Sequence, residues 1–587
     1  MSQLFCGPPV VEFRPSITQC PGCEGGMQVQ KTRHRVVHTL HVGRIQAREV
    51  FLVCKECTHT VRSEELCALV PPGSNFGYDV MVFAGKALFL RHRTEVEVVT
   101  ELAEKNIQIS PREVSFLAAR FIVYLALAHQ ENAPEITSDM QTRGGYICHL
   151  DATCEGRDPL LMSSIDSLSE IVLGNIKLPS EGETYIVPFL EHIKKNFGIP
   201  LALVHDMGAG ILKAVTHVFP SVPDFICHFH FLRDIGKDFL GVDYDIIRNR
   251  LRTHGISAKL RSRAKQLKSV LDSKPELIQA LDTSIENTPV PEDVLEWLPV
   301  LNVYTLIQWT LQGKSEGHGY GFPFDHPHLS FARRIRRLHA EVEKLKATQL
   351  RGTWRDNRPY CKIHVDLKKI LKDRRLWKAV ESLETKLVVF EKLRTAMRVA
   401  PQSGRVGLND QAENSHIRTI EKRVKKFRAW LICRKDYPQN LGAQKMIQQI
   451  DKYSEKLFAD PITVETPTGP MLIQPQRTNN ILEQFFRSLK RAHRRRTGNA
   501  SSSRLLRTML AETPLVQNLE NPGYMNILLA GKTSLEAVFA EIEIETLREA
   551  FQKAQDSPER IPSALKPLIA MPDFPDMIVN MVKRAAI

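Results

Sequence analysis

The sequence predicts a multidomain α/β protein in which a zinc-binding β module and a helix-turn-helix precede a mixed-sheet core with a long helical insertion. Three observations predict this class. The chain has 587 residues, enough for several domains of about 100–200 residues each. Two Cys-x-x-Cys pairs lie near its start. After residue 145 the pattern changes from helical periodicity to a series of short apolar strands.

The composition is that of a globular protein with a basic surface. Hydrophobic residues make up 43% and charged residues 25%, which excludes collagen-like, disordered and disulfide-dense chains. The formal net charge of +14 suits a polyanionic partner such as nucleic acid. No signal-peptide pattern begins the chain, and Arg120 interrupts the longest apolar stretch, Phe116–Ala128. We therefore expect a soluble, intracellular protein that has no membrane partner.

The two Cys-x-x-Cys pairs predict a structural zinc site. They are Cys20 with Cys23 and Cys54 with Cys57, and the intervening Val36–Val53 is rich in β-branched residues, as a hairpin would be. Two such pairs at the ends of a small β unit can place four thiolates around Zn²⁺ and hold together a core too small to be stable alone. The alternative is that these are buried cysteines without a metal.

Residues 76–132 predict helices, two of them arranged as a helix-turn-helix. Thr94 with Glu97 and Ser110 with Glu113 match the capping-box pattern. Two short helices joined by a turn, with the second beginning at Pro111, fit a DNA-reading pair. A purely structural helical hairpin is the alternative interpretation.

Beyond residue 145 the order of elements predicts an RNase H-like sheet. Three successive strands are followed by a helix, a buried strand, a second helix that begins at the Gly208–Gly210 turn, and a final strand. The predicted strands are Tyr146–Leu150, Leu160–Ile165, Ile171–Ile176, Pro200–Val204 and Phe225–His228, and the first helix is Thr184–Asn196.

The remaining chain is predicted to be helical and basic. Segment 331–380 holds 16 basic and five acidic residues, a concentration that favours a phosphate-contacting surface over a merely solvated helix face. The predicted division of the chain is a zinc-binding module at 1–70, a helical DNA-binding domain at 71–140, the first part of the core at 141–235, a helical insertion at 236–470, the second part of the core at 471–510 and a C-terminal helical region at 511–587.

Three acidic residues predict a two-metal site on the core. Asp151 and Asp206 follow the first and fourth predicted strands, which are neighbours in an RNase H-like sheet. Glu483 on a later helix supplies a third carboxylate. Oxygen ligands of this kind suit Mg²⁺ or Mn²⁺. The alternatives are that Glu483 only caps its own helix, with Asn480 three residues before it, and that each aspartate binds loop backbone.

Cations on the same helix predict contact with DNA phosphates. Glu483 shares one helical face with Arg487, Lys490 and Arg494, and the basic run continues that surface. The predicted DNA-binding residues are Arg487, Lys490, Arg491, Arg494, Arg495 and Arg496.

The same acidic segments resemble DDE transposases of bacterial insertion sequences, and most closely the branch related to Mutator-like elements. That branch often carries Cys-x-x-His after the second acid, which Cys227 and His230 match on the predicted closing strand. Those two residues either order the active-site edge or are a core thiol and a core histidine. The resembling segments are His149–Thr153, Leu203–Gly210, Thr478–Glu483 and the following Arg487, Lys490 and Gly498.

The resemblance implies a metal-dependent DNA transposase. It implies that Asp151, Asp206 and Glu483 bind the catalytic Mg²⁺, that the partners are element terminal repeats and target DNA, and that a homo-oligomer assembles on DNA. A cytoplasmic, nucleoid-associated location follows. The alternatives are a two-metal nuclease or resolvase without strand transfer, and a domesticated DNA-binding regulator.

Overall fold

The structure, a computed structural model, describes residues 7–156, 158–274, 276–277, 295–347, 358–399, 416–555 and 565–585. Residues 348–357, in the middle of the basic segment 331–380, lie outside the described residues, as do 278–294 and 400–415 within the predicted insertion. The chain is a multidomain α/β protein with a mixed five-stranded sheet and many helices, which confirms the predicted class at that level.

The N-terminal module is a small β unit. Strands β2 (Met27–Thr39) and β3 (Gly43–Cys54) form the predicted antiparallel hairpin, β1 (Val10–Phe13) pairs parallel with β3, and β4 (Thr60–Val61) pairs antiparallel with it. Helix α1 (Glu64–Leu69) follows. Its separate apolar core is small, with six fully buried members: Phe13, Val37, Ile45, Ala47, Leu66 and Val70. A core of this size commonly needs a metal or disulfide to be stable.

Four helices connect this module to the sheet: α2 (Tyr78–Phe89), α3 (Glu95–Ala103), α4 (Pro111–Glu131) and α5 (Ala133–Thr142). The capping box of Thr94 and the cap of Ser110 on the Glu113 N–H are present as predicted. The second helix of the pair is not short, however, because α4 runs for 21 residues. Its apolar side chains continue around the helix beyond the first turns, so most of α4 is buried.

The sheet consists of β5 (Ile147–Thr153), β6 (Leu160–Asp166), β7 (Val172–Leu178), β8 (Ala202–His205) and β9 (Asp224–Ile226). Its strand order is β7-β6-β5-β8-β9, with the first three antiparallel and the last two joining parallel. Helix α6 (Glu183–Phe197) connects β7 to β8, and α7 (Ala209–Val218) connects β8 to β9. This is the predicted succession of elements.

The end of the sheet differs from the prediction. The closing strand ends at Ile226, Cys227 is the N-cap of the next helix, and His228 and His230 belong to that helix, α8 (His228–Thr253). Cys227 and His230 therefore do not lie on a strand. The reason is that Phe229, Phe231, Leu232 and Ile235 recur with helical spacing and pack into the helical core. The boundary predicted at 235/236 falls inside this continuous helix.

Further helices form a second apolar core around α8. In the described residues they are α9 (Ile256–Leu271), α10 (Leu298–Gln312), α11 (Pro327–Ala347), α12 (Arg358–Leu371), α13 (Arg374–Met397), α14 (Ile417–Ile432) and α15 (Leu441–Leu457). Short 3₁₀ turns lie at Gly313–Ser315 and Tyr437–Gln439. The hairpin of β10 (Ile462–Thr466) and β11 (Gly469–Ile473) returns the chain to the edge of the sheet, where Val464 and Ile473 pack against Ala202 and Val204.

The C-terminal segment packs back on the sheet and on α4. The ring of Phe539 packs edge-to-face with Phe121 and at a tilt against Tyr124. The hydroxyl of Tyr524 lies 3.0 Å from Nδ1 of His129. No helix in the described ranges has the length and apolar character needed to cross a bilayer. The elements here are α16 (Asn480–Thr497), α17 (Ser503–Thr508), the 3₁₀ helix Thr513–Glu520, α18 (Pro522–Leu529), α19 (Leu535–Glu541), α20 (Ile544–Gln555), α21 (Lys566–Ile569) and α22 (Phe574–Ala585).

Candidate functional site

The four predicted zinc ligands lie together at the end of the β2–β3 hairpin. Cys20 Sγ lies 3.5 Å from Cys57 Sγ, and Cys23 Sγ lies 3.4 Å from Cys54 Sγ and 3.3 Å from Cys57 Sγ. All four sulfurs lie within 4.8 Å of one another. A tetrahedral ZnS₄ centre with Zn–S bonds of about 2.3 Å has sulfurs about 3.8 Å apart. These cysteines can therefore bind a structural metal such as zinc.

The thiols also have the acidity that metal binding uses. Backbone N–H groups of Cys57 and Glu56 stabilise the Cys54 thiolate and lower its pKa to about 6. At Cys23 the Gly25 N–H acts in the same direction, but hydrogen bonds with Cys57 and Cys54 outweigh it and raise the pKa to about 12. Cys54 therefore loses its proton more easily than a free thiol, whereas Cys23 holds its proton more tightly. Opposite shifts of this kind are expected of thiols that lie close enough to bind one cation.

Asp151 and Asp206 lie at the same level on adjacent parallel strands. The ladder of β5 and β8 pairs Ile147 with Ala202 and ends with His149 and Val204. The constant offset of 55 residues brings Asp151 opposite Asp206 just beyond the last pair. Asp151 is buried within β5 while Asp206 is half-buried in the turn after β8, so the two carboxylates meet where that turn opens.

A third carboxylate, Glu181, lies beside Asp206 and was not predicted. A β-carbon added at Gly208 would lie 3.1 Å from Asp206 Oδ1 and 3.4 Å from Glu181 Oε2. At Gly210 it would lie 1.8 Å from the Glu181 carbonyl oxygen, so only glycine allows α7 to begin against this loop. Asp206 Oδ1 accepts a hydrogen bond from the Gly208 N–H at 3.0 Å, which fixes the carboxylate at the start of α7.

His205 and its partners support Asp206 from below. His205 Nδ1 lies 2.7 Å from the Asp206 carbonyl oxygen, and Nε2 lies 3.2 Å from Asp224 Oδ2. Lys456 from α15 binds both oxygens of Asp224 at 2.5 Å, and these contacts lower the pKa of Asp224 despite its partial burial. A chain of polar contacts from the insertion thus holds the backbone that carries the second acid.

Asn479 ties the helix of Glu483 to the strand of Asp151. Its side-chain amide donates to the Leu150 carbonyl at 2.8 Å and its oxygen lies 2.9 Å from His149 Nδ1. Its backbone N–H donates to Cys227 Sγ at 3.3 Å. Asn479 is fully buried. It joins β5, the start of α8 and the start of α16, and was not predicted to do so.

The capping interpretation of Glu483 does not hold in the structure. Helix α16 begins at Asn480 and its N-cap is Asn479, so Glu483 lies one position past the capping-box site. Among the hydrogen bonds of the described residues none ends on the Glu483 carboxylate, which leaves it available above the first turn.

The sequence signal that could have identified Asn479 is the Asn-Asn pair directly before an amphipathic helix.

The acids share one electrostatic site. Burial is the main cause that raises the pKa of Asp151 well above its usual range, and the negative charges of Asp206 and Glu483 add to it. Burial also raises the pKa of Glu483 and of Glu181, the latter with a further contribution from Asp206. The three predicted acids are therefore close enough for Asp206 and Glu483 to raise the pKa of Asp151. The oxygens of the three carboxylates do not, however, all lie within 4.8 Å of one another.

Arg233 on α8 is the cation that faces this cluster. Its charge lowers the pKa of Asp151, Glu483 and Glu181. Its Nε is buried and makes no hydrogen bond within the described residues. Arg487 also lowers the pKa of Glu483, so four carboxylates face two guanidinium groups and the site keeps an excess of negative charge. Arg233 was not predicted because the expected domain boundary at 235/236 lies two residues after it. Its position in the second turn of α8, the helix that follows the sheet, was therefore not recognised.

Cys227 and His230 lie behind the acids as buried groups. Burial raises the pKa of the Cys227 thiol to about 12 and lowers the pKa of His230 to about 3. The Cys227 sulfur accepts the Asn479 N–H, so it contacts the residue that holds the Glu483 helix. Both are neutral near neutral pH, which fits packing and positioning.

The predicted cations occupy three different positions around α16. Arg487, Arg491 and Arg495, four residues apart, line a groove of about 920 Å³ between α16, the edge of β6 and β7, and the segment before α18. Arg496 lines a smaller cavity against α2 and α4, while Lys490 and Arg494 are exposed. The lining of the groove includes none of the three acids.

Comparison with protein-family models and with curated proteins gave no match for this chain.

Proposed function

We propose that the chain is a DDE-type DNA transposase that binds the ends of its element and catalyses metal-dependent DNA cleavage and strand transfer. The observation that carries the proposal is the meeting of Asp151, Asp206 and Glu483 in one electrostatic site. These residues come from three segments far apart in sequence, and each reaches the site through a separate element: β5, the turn after β8 and α16.

The sheet supports an RNase H-like assignment of the core. Three antiparallel strands followed by two parallel ones, in the order β7-β6-β5-β8-β9, give the arrangement expected of that fold. It places the first and fourth strands side by side with an acid on each. The helix carrying the third acid is fastened to the first strand through Asn479.

The donor set fits Mg²⁺ or Mn²⁺. Asp151, Asp206 and Glu483 offer hard oxygen ligands, and Glu181 adds a fourth carboxylate, with Arg233 and Arg487 as counter-charges. A bound pair of ions would supply activation of the attacking oxygen and stabilisation of the leaving oxygen. Carboxylates that repel one another and accept few protein hydrogen bonds are suited to exchanging protons for divalent cations.

Basic groups position the nucleic acid in this proposal. Arg487 lies one helical turn from Glu483 and begins the row along the groove, so a phosphate backbone held there leads towards the acids. The four-cysteine module and the α3–α4 pair would recognise element ends. Apart from Gln130 and Glu131 at its end, α4 is exposed only in its first turns, with Arg112, Ser115 and Phe116, and these would make that contact.

The decisive experiment is a strand-transfer assay. The probes are DNA fragments that flank the coding sequence, incubated with plasmid target and Mg²⁺ or Mn²⁺. Joined products are expected with the natural protein and lost with Asp151→Asn, Asp206→Asn or Glu483→Gln, while DNA binding persists. Glu191→Gln, an exposed acid on α6, is the matched control and should retain activity.

The rival functions give different products. Metal-dependent nicks without joined DNA would assign a nuclease or resolvase. Specific binding without any cleavage would assign a regulator, an outcome disfavoured by the presence of all three acids. Loss of DNA binding in the three acid variants would show that the acids are structural, and the proposal would fail.

A further inference from the structure

A second cluster of metal-type ligands lies in the helical insertion, far along the chain from the carboxylates. His339 and Glu343 are one turn apart on α11, and His364 faces them from α12. His364 Nε2 lies 2.8 Å from Glu343 Oε1, and the two imidazole rings stack with centroids 5.0 Å apart at 28°. One ligand atom from each of the three lies within 4.8 Å of the other two.

The two helices hold these ligands in place. Leu338 and Val342, which neighbour the ligands on α11, are fully buried, as are Ile363 and Leu367 around His364 on α12. The backbones that carry the three side chains are therefore fixed by the apolar core, while the side chains themselves lie at the surface between half-buried and exposed. Rigid elements with accessible ligands are what a metal site needs.

A simple ion pair does not account for the whole arrangement. A surface His–Glu pair is worth only about 0–1 kcal/mol and requires one histidine. Here a second imidazole converges on the same carboxylate, and its ring stacks on the first. Lys346 also approaches Glu343, at 3.4 Å, and would have to swing away. Two imidazole nitrogens and a carboxylate oxygen form a donor set preferred by zinc and its neighbours in the transition series, with a water to complete the shell.

We propose that His339, Glu343 and His364 bind a divalent transition-metal ion of the zinc class and that the ion cross-links α11 to α12. The site is separate from the four-cysteine cluster and from the acids. Its consequence is mechanical: it fixes two helices within the basic segment 331–380, whose connecting residues lie outside the described structure. The inference does not depend on the proposed transposase function.

The test uses the full-length protein and two probes, Zn²⁺ and Co²⁺, in excess Mg²⁺ so that the carboxylates are occupied. Metal analysis should find one more bound zinc in the natural protein than in His364→Gln. In Cys20→Ser, bound Co²⁺ should give a visible spectrum that lacks the thiolate charge-transfer band. Adding His339→Gln to this variant should lower the apparent affinity for that Co²⁺ at least tenfold.

The matched control is His217→Gln, which removes an exposed histidine paired with Glu183 at 3.5 Å but without a second imidazole. This variant should bind as much metal as the natural protein. Hydrogen exchange in α11 and α12 should slow on adding Zn²⁺ in the natural protein and not in His364→Gln. Equal metal content in the natural protein and both ligand variants, or exchange unaffected by Zn²⁺, would overturn the inference. Circular dichroism establishes that each variant is folded, and Glu343→Gln serves where a histidine variant is not.

Discussion

Asn479→Ala should loosen the attachment of the Glu483 helix to the sheet without unfolding the protein. The substitution removes the donor to the Leu150 carbonyl at 2.8 Å and the acceptor of the His149 ring proton at 2.9 Å. Burial lowers the pKa of His149 to about 4, so near neutral pH the ring is neutral. Its Nδ1–H then donates to Asn479, as the direction of the amide contacts requires.

The magnitude follows from the partners left behind. A buried group that loses its hydrogen-bond partner costs about 1–3 kcal/mol, and two such groups are stranded here, so we expect a loss of about 2–6 kcal/mol in local stability. At about 1.4 kcal/mol per factor of ten this corresponds to a roughly 30- to 20,000-fold larger population with the first turns of α16 open. A global unfolding midpoint is a poor measure for a chain of several domains.

Native-state hydrogen exchange of peptides from α16 and β5 measures this local opening. Asn499→Ala, an exposed asparagine just beyond the same helix, is the control and should leave exchange unchanged. Less than about a threefold change for Asn479→Ala would refute the proposed clamp, since a single net hydrogen bond of about 1 kcal/mol already gives more.

The clamp also has a functional signature. If Asn479 positions Glu483, then Asn479→Ala should reduce metal-dependent cleavage in the natural background and have little further effect in Glu483→Gln. Additive losses in the double variant would mean that Asn479 stabilises the fold but does not act through the acid.

Three further outcomes are expected. Cys54→Ser should lower the zinc content by one ion per chain and speed hydrogen exchange in the β2–β3 hairpin, and an unchanged zinc content would remove the metal from the four-cysteine cluster. Because the pKa values of Asp151 and Glu483 are raised, Mg²⁺ must displace protons, so its affinity, measured by calorimetry, should strengthen as pH rises through those pKa values. In the absence of metal, folding stability depends on pH in the opposite direction. Carboxyls with raised pKa values make the folded state bind more protons than the unfolded state, so the protein gains stability as pH falls through their folded pKa values. A Mg²⁺ affinity that does not change with pH would contradict this assignment. Arg491→Gln should lower the slope of log affinity for DNA against log salt by about one unit, whereas Lys195→Gln, an exposed lysine on α6 outside the groove lining, should not; equal slopes would place the phosphate contacts outside the groove.

The parts of this fold that were predictable are those written in local patterns. Thr94 and Ser110 cap helices as expected because a cap is decided within four residues. Short apolar runs predicted the strands around Asp151, and paired cysteines predicted the four-cysteine cluster. The error at Cys227 and His230 has a local cause as well, since a short apolar run before a helix resembles the end of a strand.

The rest of the site depends on contacts between distant segments. Asn479 can be recognised as a clamp only once β5, α8 and α16 are known to meet, because its partners lie more than 250 residues away. Glu181 lies in a loop without a pattern and enters the site because Gly210 lets α7 approach it closely. Arg233 is one arginine among many in a basic chain, and its role appears only where the helix leaves the sheet.

The arrangement of these residues explains why the acids can sit together without metal. Four carboxylates near Arg233 and Arg487 are unfavourable, and burial together with this crowding raises the pKa values of Asp151, Glu181 and Glu483. Packing fixes the backbone against this cost, with Leu150 and Val204 fully buried on the paired strands and Asn479 equally buried between strand and helix. A divalent cation bound among the acids would lower that cost. Burying carboxylates close together costs folding free energy, so stability alone does not explain the cluster. This cost is the physical reason for proposing that the acids act in catalysis.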